Sequence, residues 1–116
     1  MKVNFSYDNE EDIVYFYTSE KEVDFSIDYD DIILDVSGNK IEGIEILNAS
    51  EKFGKDEEDI KKMKLALSSI NEANMKVDYG INSINVKVGF VSSMPELLKE
   101  GMLIQVPIKR KLMLEA

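Results

Sequence analysis

Five aspartates, Asp24, Asp28, Asp30, Asp31 and Asp35, fall within one short stretch of the chain. Carboxylates at that density are what a hard cation such as calcium or magnesium takes as ligands. The spacing argues against that use. No Asp-x-Asp-x-Asp-Gly run with a closing Glu is present, and acids on alternating strands splay along a surface instead of converging on one ion. Glu42 and Glu45 raise the question of a carboxylate pair for hydrolysis, but residues three apart on a regular strand point to opposite faces. Gly38, Gly43 and Gly54 are too scattered to form a phosphate-cradling loop.

The missing residue types exclude more. With no cysteine and no histidine, the chain has no thiol nucleophile, no imidazole base and no zinc site of the usual kind. A serine triad loses its proton acceptor. What remains is carboxylate, lysine, tyrosine or serine–lysine chemistry, so the expectation is a protein that is not an enzyme and needs no cofactor, with a carboxylate-based enzyme kept as an alternative.

Net charge is −9 and uneven: residues 1–60 carry 18 acidic and 5 basic side chains, residues 61–116 carry 5 and 9. The last basic cluster is Lys109, Arg110 and Lys111. Such asymmetry fits either acids that only solubilise exposed strands or a surface made for a basic protein partner. On the second reading Asp24, Asp28, Asp30 and Asp31 form the partner-binding face. Tyr17 and Tyr29, aromatic residues with polar neighbours, are its expected anchors. Direct nucleic-acid binding is disfavoured, because the overall charge repels phosphates and the basic cluster is short. The reverse remains open as an alternative: an acidic face that mimics nucleic acid and inhibits a nucleic-acid enzyme.

At 116 residues, 44% apolar and 32% charged, the chain is expected to be a single globular domain, 1–116. No window approaches the ~18 apolar residues of a membrane-spanning helix, and the N-terminus lacks the apolar centre of a signal peptide, so a cytoplasmic protein without a membrane partner is expected.

The elements that must carry these side chains are mostly strands. Val3, Phe5 and Tyr7 alternate with polar residues, and Asp8 to Asp12 reads as a turn. Ile13 to Tyr17 is branched and aromatic, as in a well-covered strand. Val23, Phe25 and Ile27 alternate with Asp24, Ser26 and Asp28. A hairpin follows: Ile32 to Val36, a turn at Gly38 and Asn39, then Ile41 to Leu47. In that last strand regular alternation would put Ile41, Gly43, Glu45 and Leu47 on one face. A glycine inside a strand marks a bulge or a close neighbour, and Asn48-Ala49-Ser50 ends the strand in a turn or helix cap.

One helix is expected, capped by Asp56, with Ile60, Met63, Leu67 and Ile70 as its apolar stripe. Met75 to Tyr79 and Ile84 to Phe90 read as strands. Ser92 to Glu96 reads as a connection with a helical turn through Lys99, closed by Gly101. The final segment, Met102 to Leu114, contains Pro107, which cannot donate a ladder hydrogen bond, so it is expected at a sheet edge, where a second copy could pair to make a homodimer. The fold class expected is α+β: an N-terminal antiparallel β-meander, one central helix and a C-terminal β-hairpin or small sheet.

Residues 1–50 resemble a family of small domains of unknown function, numbered 2283. Tyr7-Asp8 and Asp12-Ile13-Val14-Tyr15-Phe16 match its first two signatures. Asp35, Gly38, Ile41 and Gly43-Ile44-Glu45-Ile46-Leu47-Asn48-Ala49-Ser50 match the third, with Asn48 where Asp is more usual. The family carries no assigned activity. Its likeness to proteins found beside small toxins implies an antitoxin-like or inhibitor role only by analogy.

Overall fold

The structure, a computed structural model, describes residues 1–18, 22–94 and 98–107. Strand β1 (Lys2–Asp8) turns into β2 (Ile13–Tyr17), and the turn is closed by its own acids. The Asp8 carboxylate accepts from the backbone N–H of Glu10 (3.0 Å) and Glu11 (3.2 Å), and Asp12 takes a left-handed φ of 57°. Strands β3 (Phe25–Tyr29), β4 (Ile32–Ser37) and β5 (Lys40–Ile46) follow as two hairpins. Asp30 (φ 51°) and Gly38 (φ 64°) supply the left-handed residues at their turns. Aspartate tolerates that region better than most side chains, so these acids are spent partly on backbone geometry.

Two short helices come next, not one. Helix α1 (Ala49–Phe53) grows directly out of the Asn48-Ala49-Ser50 run, and α2 (Glu57–Leu67) begins where expected, with the Asp56 carboxylate accepting from the Asp59 N–H. The expected stripe holds for Met63 and Leu67, which are buried. It fails at Ile70, because Ser68 and Ser69 close the helix and Ile70 opens strand β6 (Ile70–Tyr79). Strands β7 (Ser83–Ser92) and β8 (Leu98–Pro107) complete the described chain. Leu98 to Gly101 is therefore strand in place of the expected helical turn through Lys99: Lys99 pairs with Val91 and Gly101 with Gly89, while residues 95–97 of that expected turn lie outside the described residues.

All eight strands form one antiparallel sheet in the order β3-β4-β5-β2-β1-β6-β7-β8. This corrects the simple N-terminal meander, since β2 pairs with β5 and β3 lies at an edge. The physical reason is polarity: β3 is short and carries Ser26 and Asp28, whereas β4 and β5 bury Leu34, Val36, Ile44 and Ile46 completely and belong inside. Nor is there a separate C-terminal sheet, because Lys2 and Val3 of β1 pair with Asn74 and Ala73 of β6. The protein is more sheet-dominated than a plain α+β description conveys.

One face of this sheet points inward throughout. Val14, Phe16, Leu34 and Ile44 from the first half meet Val86, Val88 and Phe90 from the second in one buried cluster, with α1 and α2 packed into it. The Phe53 ring of α1 meets Phe90 edge-on at 5.3 Å. The buried Ser92 hydroxyl donates to the Ala66 carbonyl (2.7 Å), tying the end of α2 to β7. The sheet curls: Tyr79 on β6 accepts a 2.8 Å hydrogen bond from the Ile41 N–H on β5, across the two intervening strands.

The glycine in β5 marks both a bulge and a close neighbour. Asp35 pairs with Gly43 but Val36 pairs with Ile41, which leaves Glu42 as the extra residue. The extra residue shifts the alternation, so Ile41 joins the buried face instead of lying beside Gly43 and Glu45 as regular spacing implied.

Candidate functional site

The outward face of β2, β5 and β4 gathers aromatic rings and carboxylates. Cross-strand register places Tyr15 beside Glu45 and Glu45 beside Ile33 in one row, and Tyr17, Gly43, Asp35 and Ser26 in the next. Tyr15 leans diagonally out of its row. Its ring passes over Gly43, where an added Cβ would lie 2.8 Å from Tyr15 Cε1. The phenol then donates a 2.7 Å hydrogen bond to Asp35. Ser26 on β3 donates to the other oxygen of Asp35 at 2.9 Å. Tyr17 stacks on Tyr15 with ring centroids 4.7 Å apart. Strands β2, β3 and β4 are thus stitched through one carboxylate, itself only 8% exposed, across the top of β5.

The electrostatics follow from crowding. Burial first, and then the neighbouring Asp35 charge, hold the Glu45 carboxyl above its ordinary range. Burial, the hydrogen bond to Asp35 and the charges of Asp35 and Glu45 push the Tyr15 phenol well above a normal tyrosine. Among the described residues this face carries no cation: Lys40 stands only at its hairpin end, and Lys2 on β1 pairs with Glu72 at 3.6 Å. A lysine or guanidinium group brought to it would relieve Glu45 and could stack on a tyrosine ring.

The expected partner-binding residues are not brought together as one patch. Tyr17 and Asp28 do share the outward face, and Tyr17 is half-buried in the stack. Asp24 is exposed but engaged, accepting from the Gly38 N–H at 2.7 Å and so closing the β4–β5 turn. Tyr29 pairs with Ile32, on the inward side of edge strand β3, where it remains 37% exposed. Asp30 is the exposed left-handed turn residue. Asp31 sits beside α1, paired with Lys52 at 2.7 Å, and this lysine with Asn48 holds its carboxyl below the usual range. Lys109, Arg110 and Lys111 lie outside the described residues.

Asp35, Glu45 and Tyr15 are the members that sequence reasoning left out of its candidate face. A signal was present: Asp35, Gly38 and Gly43 recur together in the family signature, and the Gly38 turn is what folds Asp35 onto Gly43.

A second cluster explains the remaining signature residues as structure. Asp12 accepts from the Tyr7 hydroxyl (2.6 Å), the Ser50 hydroxyl (2.6 Å) and the Ser50 N–H (3.1 Å), while its carbonyl accepts from the Ala49 N–H (2.9 Å). The β1–β2 turn therefore caps α1 from outside, doing what Asn48, left-handed at φ 53° and without a side-chain cap bond, does not. Among the described residues no group of three or more Asp or Glu side chains is placed to hold a metal ion, and no helix is long and apolar enough to cross a membrane.

The outward face also carries the sequence's charge asymmetry into space. Lys76 and Lys87 oppose each other on β6 and β7, with Lys99 outward on β8, so lysines line the half of the sheet away from Asp28, Asp35 and Glu45.

Comparison with known proteins gives relatives but no activity. The model of a family described as protein of unknown function, DUF2283, matches residues 4–50. A Methanosarcina mazei protein that carries a provisional hypoxanthine phosphoribosyltransferase name is 36% identical over 105 residues, covering 72% of this chain and 85% of that protein. An uncharacterised protein of Methanocaldococcus jannaschii is 31% identical over 102 residues, covering 87% of this chain and 84% of that protein. No solved structure matches the chain.

Proposed function

The chain belongs to the DUF2283 family of proteins of unknown function, and from that premise we propose that it is a non-enzymatic interaction module that binds a basic protein partner through the outward face of β2, β5 and β4. What supports this is Glu45. A carboxyl group held against burial and against the Asp35 charge on a ring-bearing surface costs the free protein stability, and an arriving cation repays that cost. Tyr17 and Tyr15 supply the aromatic anchor. An antitoxin-like or inhibitor role is the form this binding takes if the partner is a small basic toxin.

The transferase name of one relative is not carried over to this face in our reading. Holding a phosphorylated ribose needs a site that attracts phosphate, whereas this face adds Asp35, Glu45 and Asp28 to a net charge of −9 and offers no glycine-rich loop.

The test is a nuclear magnetic resonance titration of the whole protein with an arginine-rich peptide at low and at physiological salt. Shifts centred on Tyr15, Tyr17 and Glu45, weakening steeply with salt, are expected. Tyr17→Ala and Glu45→Gln should each weaken binding at least about fivefold. Shifts that map to another surface, or binding indifferent to both substitutions, overturn the proposal.

A further inference from the structure

The two edges of the sheet are treated differently. Strand β3 is a five-residue edge with Asp28 exposed on it and a left-handed Asp30 at its end. Those are features that discourage another strand from adding on. Strand β8 is ten residues long and pairs with β7 without a bulge from Ser83–Pro107 to Ser92–Leu98. Among the described residues nothing pairs with its other side. Near its middle, Leu103 points outward and is 67% exposed.

We propose that β8 pairs antiparallel with β8 of a second copy of this chain, about a two-fold axis at Leu103, to make one continuous sheet across a homodimer. The register follows from symmetry. A two-fold axis normal to the sheet keeps outward side chains outward, so the residue on the axis must face itself. Met102 is already half-buried against the core, whereas Leu103 has most of its surface to lose. Centred there, Gly101 faces Gln105, Glu100 faces Val106 and Lys99 faces Pro107 of the second copy, so no like charges meet. Pro107, which has no N–H to give, falls at the end of the ladder where its cost is smallest. Lys99 and Lys87 then lie toward the centre of the dimer and the two acidic faces at its far ends, giving a bivalent display of the surface proposed above.

Sedimentation equilibrium of the full chain tests this, with a dimer of twice 13.2 kDa expected at tens of micromolar. Leu103→Lys should leave the circular dichroism spectrum unchanged, because the side chain is exposed, and should weaken dimerisation at least tenfold. Leu103→Cys places the only thiols of the assembly on facing residues, with Cα atoms about 5 Å apart, so a short bismaleimide should link them. Leu65→Cys, on the exposed side of α2, should not be linked. A wild-type monomer at these concentrations overturns the proposal. So does a dimer that survives Leu103→Lys, that leaves Leu103→Cys unlinked, or that dissolves with salt as an acidic face seated on a lysine face would.

Discussion

The Tyr15 phenol reaches across Gly43 to hydrogen-bond Asp35 at 2.7 Å, two strands away in the sheet. Only a residue without a side chain leaves the ring that path. Glycine in a strand ordinarily costs stability. Here the loss is offset by a hydrogen bond to a carboxylate that also holds Ser26.

Gly43→Ala is therefore expected to displace the Tyr15 ring, since the new methyl would stand 2.8–2.9 Å from it. The loss should be about 1–2 kcal/mol in urea unfolding. Combined with Tyr15→Phe the two losses should add to less than their sum, because both break the same bond to Asp35. Full additivity would show that the ring does not depend on Gly43.

Asp12→Ala removes the acceptor of Tyr7, of the Ser50 hydroxyl and of the Ser50 N–H at once. A lost helix cap together with a partly buried network should cost about 2–3 kcal/mol. Asp12→Asn, which keeps one acceptor oxygen and tolerates the left-handed backbone, should cost less. Equal losses in chemical denaturation would mean that charge, not hydrogen-bond geometry, holds the turn to α1.

Tyr7 and Tyr15 both have phenols pushed above the ordinary tyrosine range, Tyr7 by burial and its bond to Asp12, Tyr15 by burial and its bond to Asp35. A folded-state pKa above the unfolded one means that the native state holds its proton more tightly. The stability so gained is present below the ordinary value of 10.0 and is lost as pH rises beyond it. Tyrosinate absorbance should thus show two late phenols whose ionisation coincides with alkaline unfolding. Tyr15→Phe should remove one of them.

Glu45→Gln should separate stability from binding. The raised carboxyl in the folded state means that stability falls as pH rises through the Glu45 titration, so at neutral pH the charged form is a small burden. Its neutral replacement should raise stability slightly, by no more than about 0.5 kcal/mol because the group is only partly covered. The same substitution should weaken the arginine-rich peptide. Wild-type affinity for that peptide should also drop as pH is lowered through the same titration. A variant that is both less stable and an equal binder would remove Glu45 from the site.

Much of this was legible in the chain. The cap at Asp56, the hairpin at Gly38, the edge character of the Pro107 strand and the family signature across residues 4–50 all rest on local backbone chemistry, which a short window of sequence contains. The bulge at Glu42 was half legible: Gly43 announced an irregularity, but not that it would return Ile41 to the core.

By itself, then, the sequence determined a strand-rich chain without imidazole or thiol chemistry, with its acids crowded into one half and its turns closed by Asp and Gly. Tertiary structure alone decided that β2 lies beside β5, that Asp12 caps a helix 38 residues away, and that Asp35, on the outward face, is covered by a tyrosine two strands off while its neighbours in sequence scatter to turns, an ion pair and an edge. The reason is that strand order and side-chain convergence depend on which apolar faces can be buried together, a long-range packing outcome that periodicity along the chain does not encode.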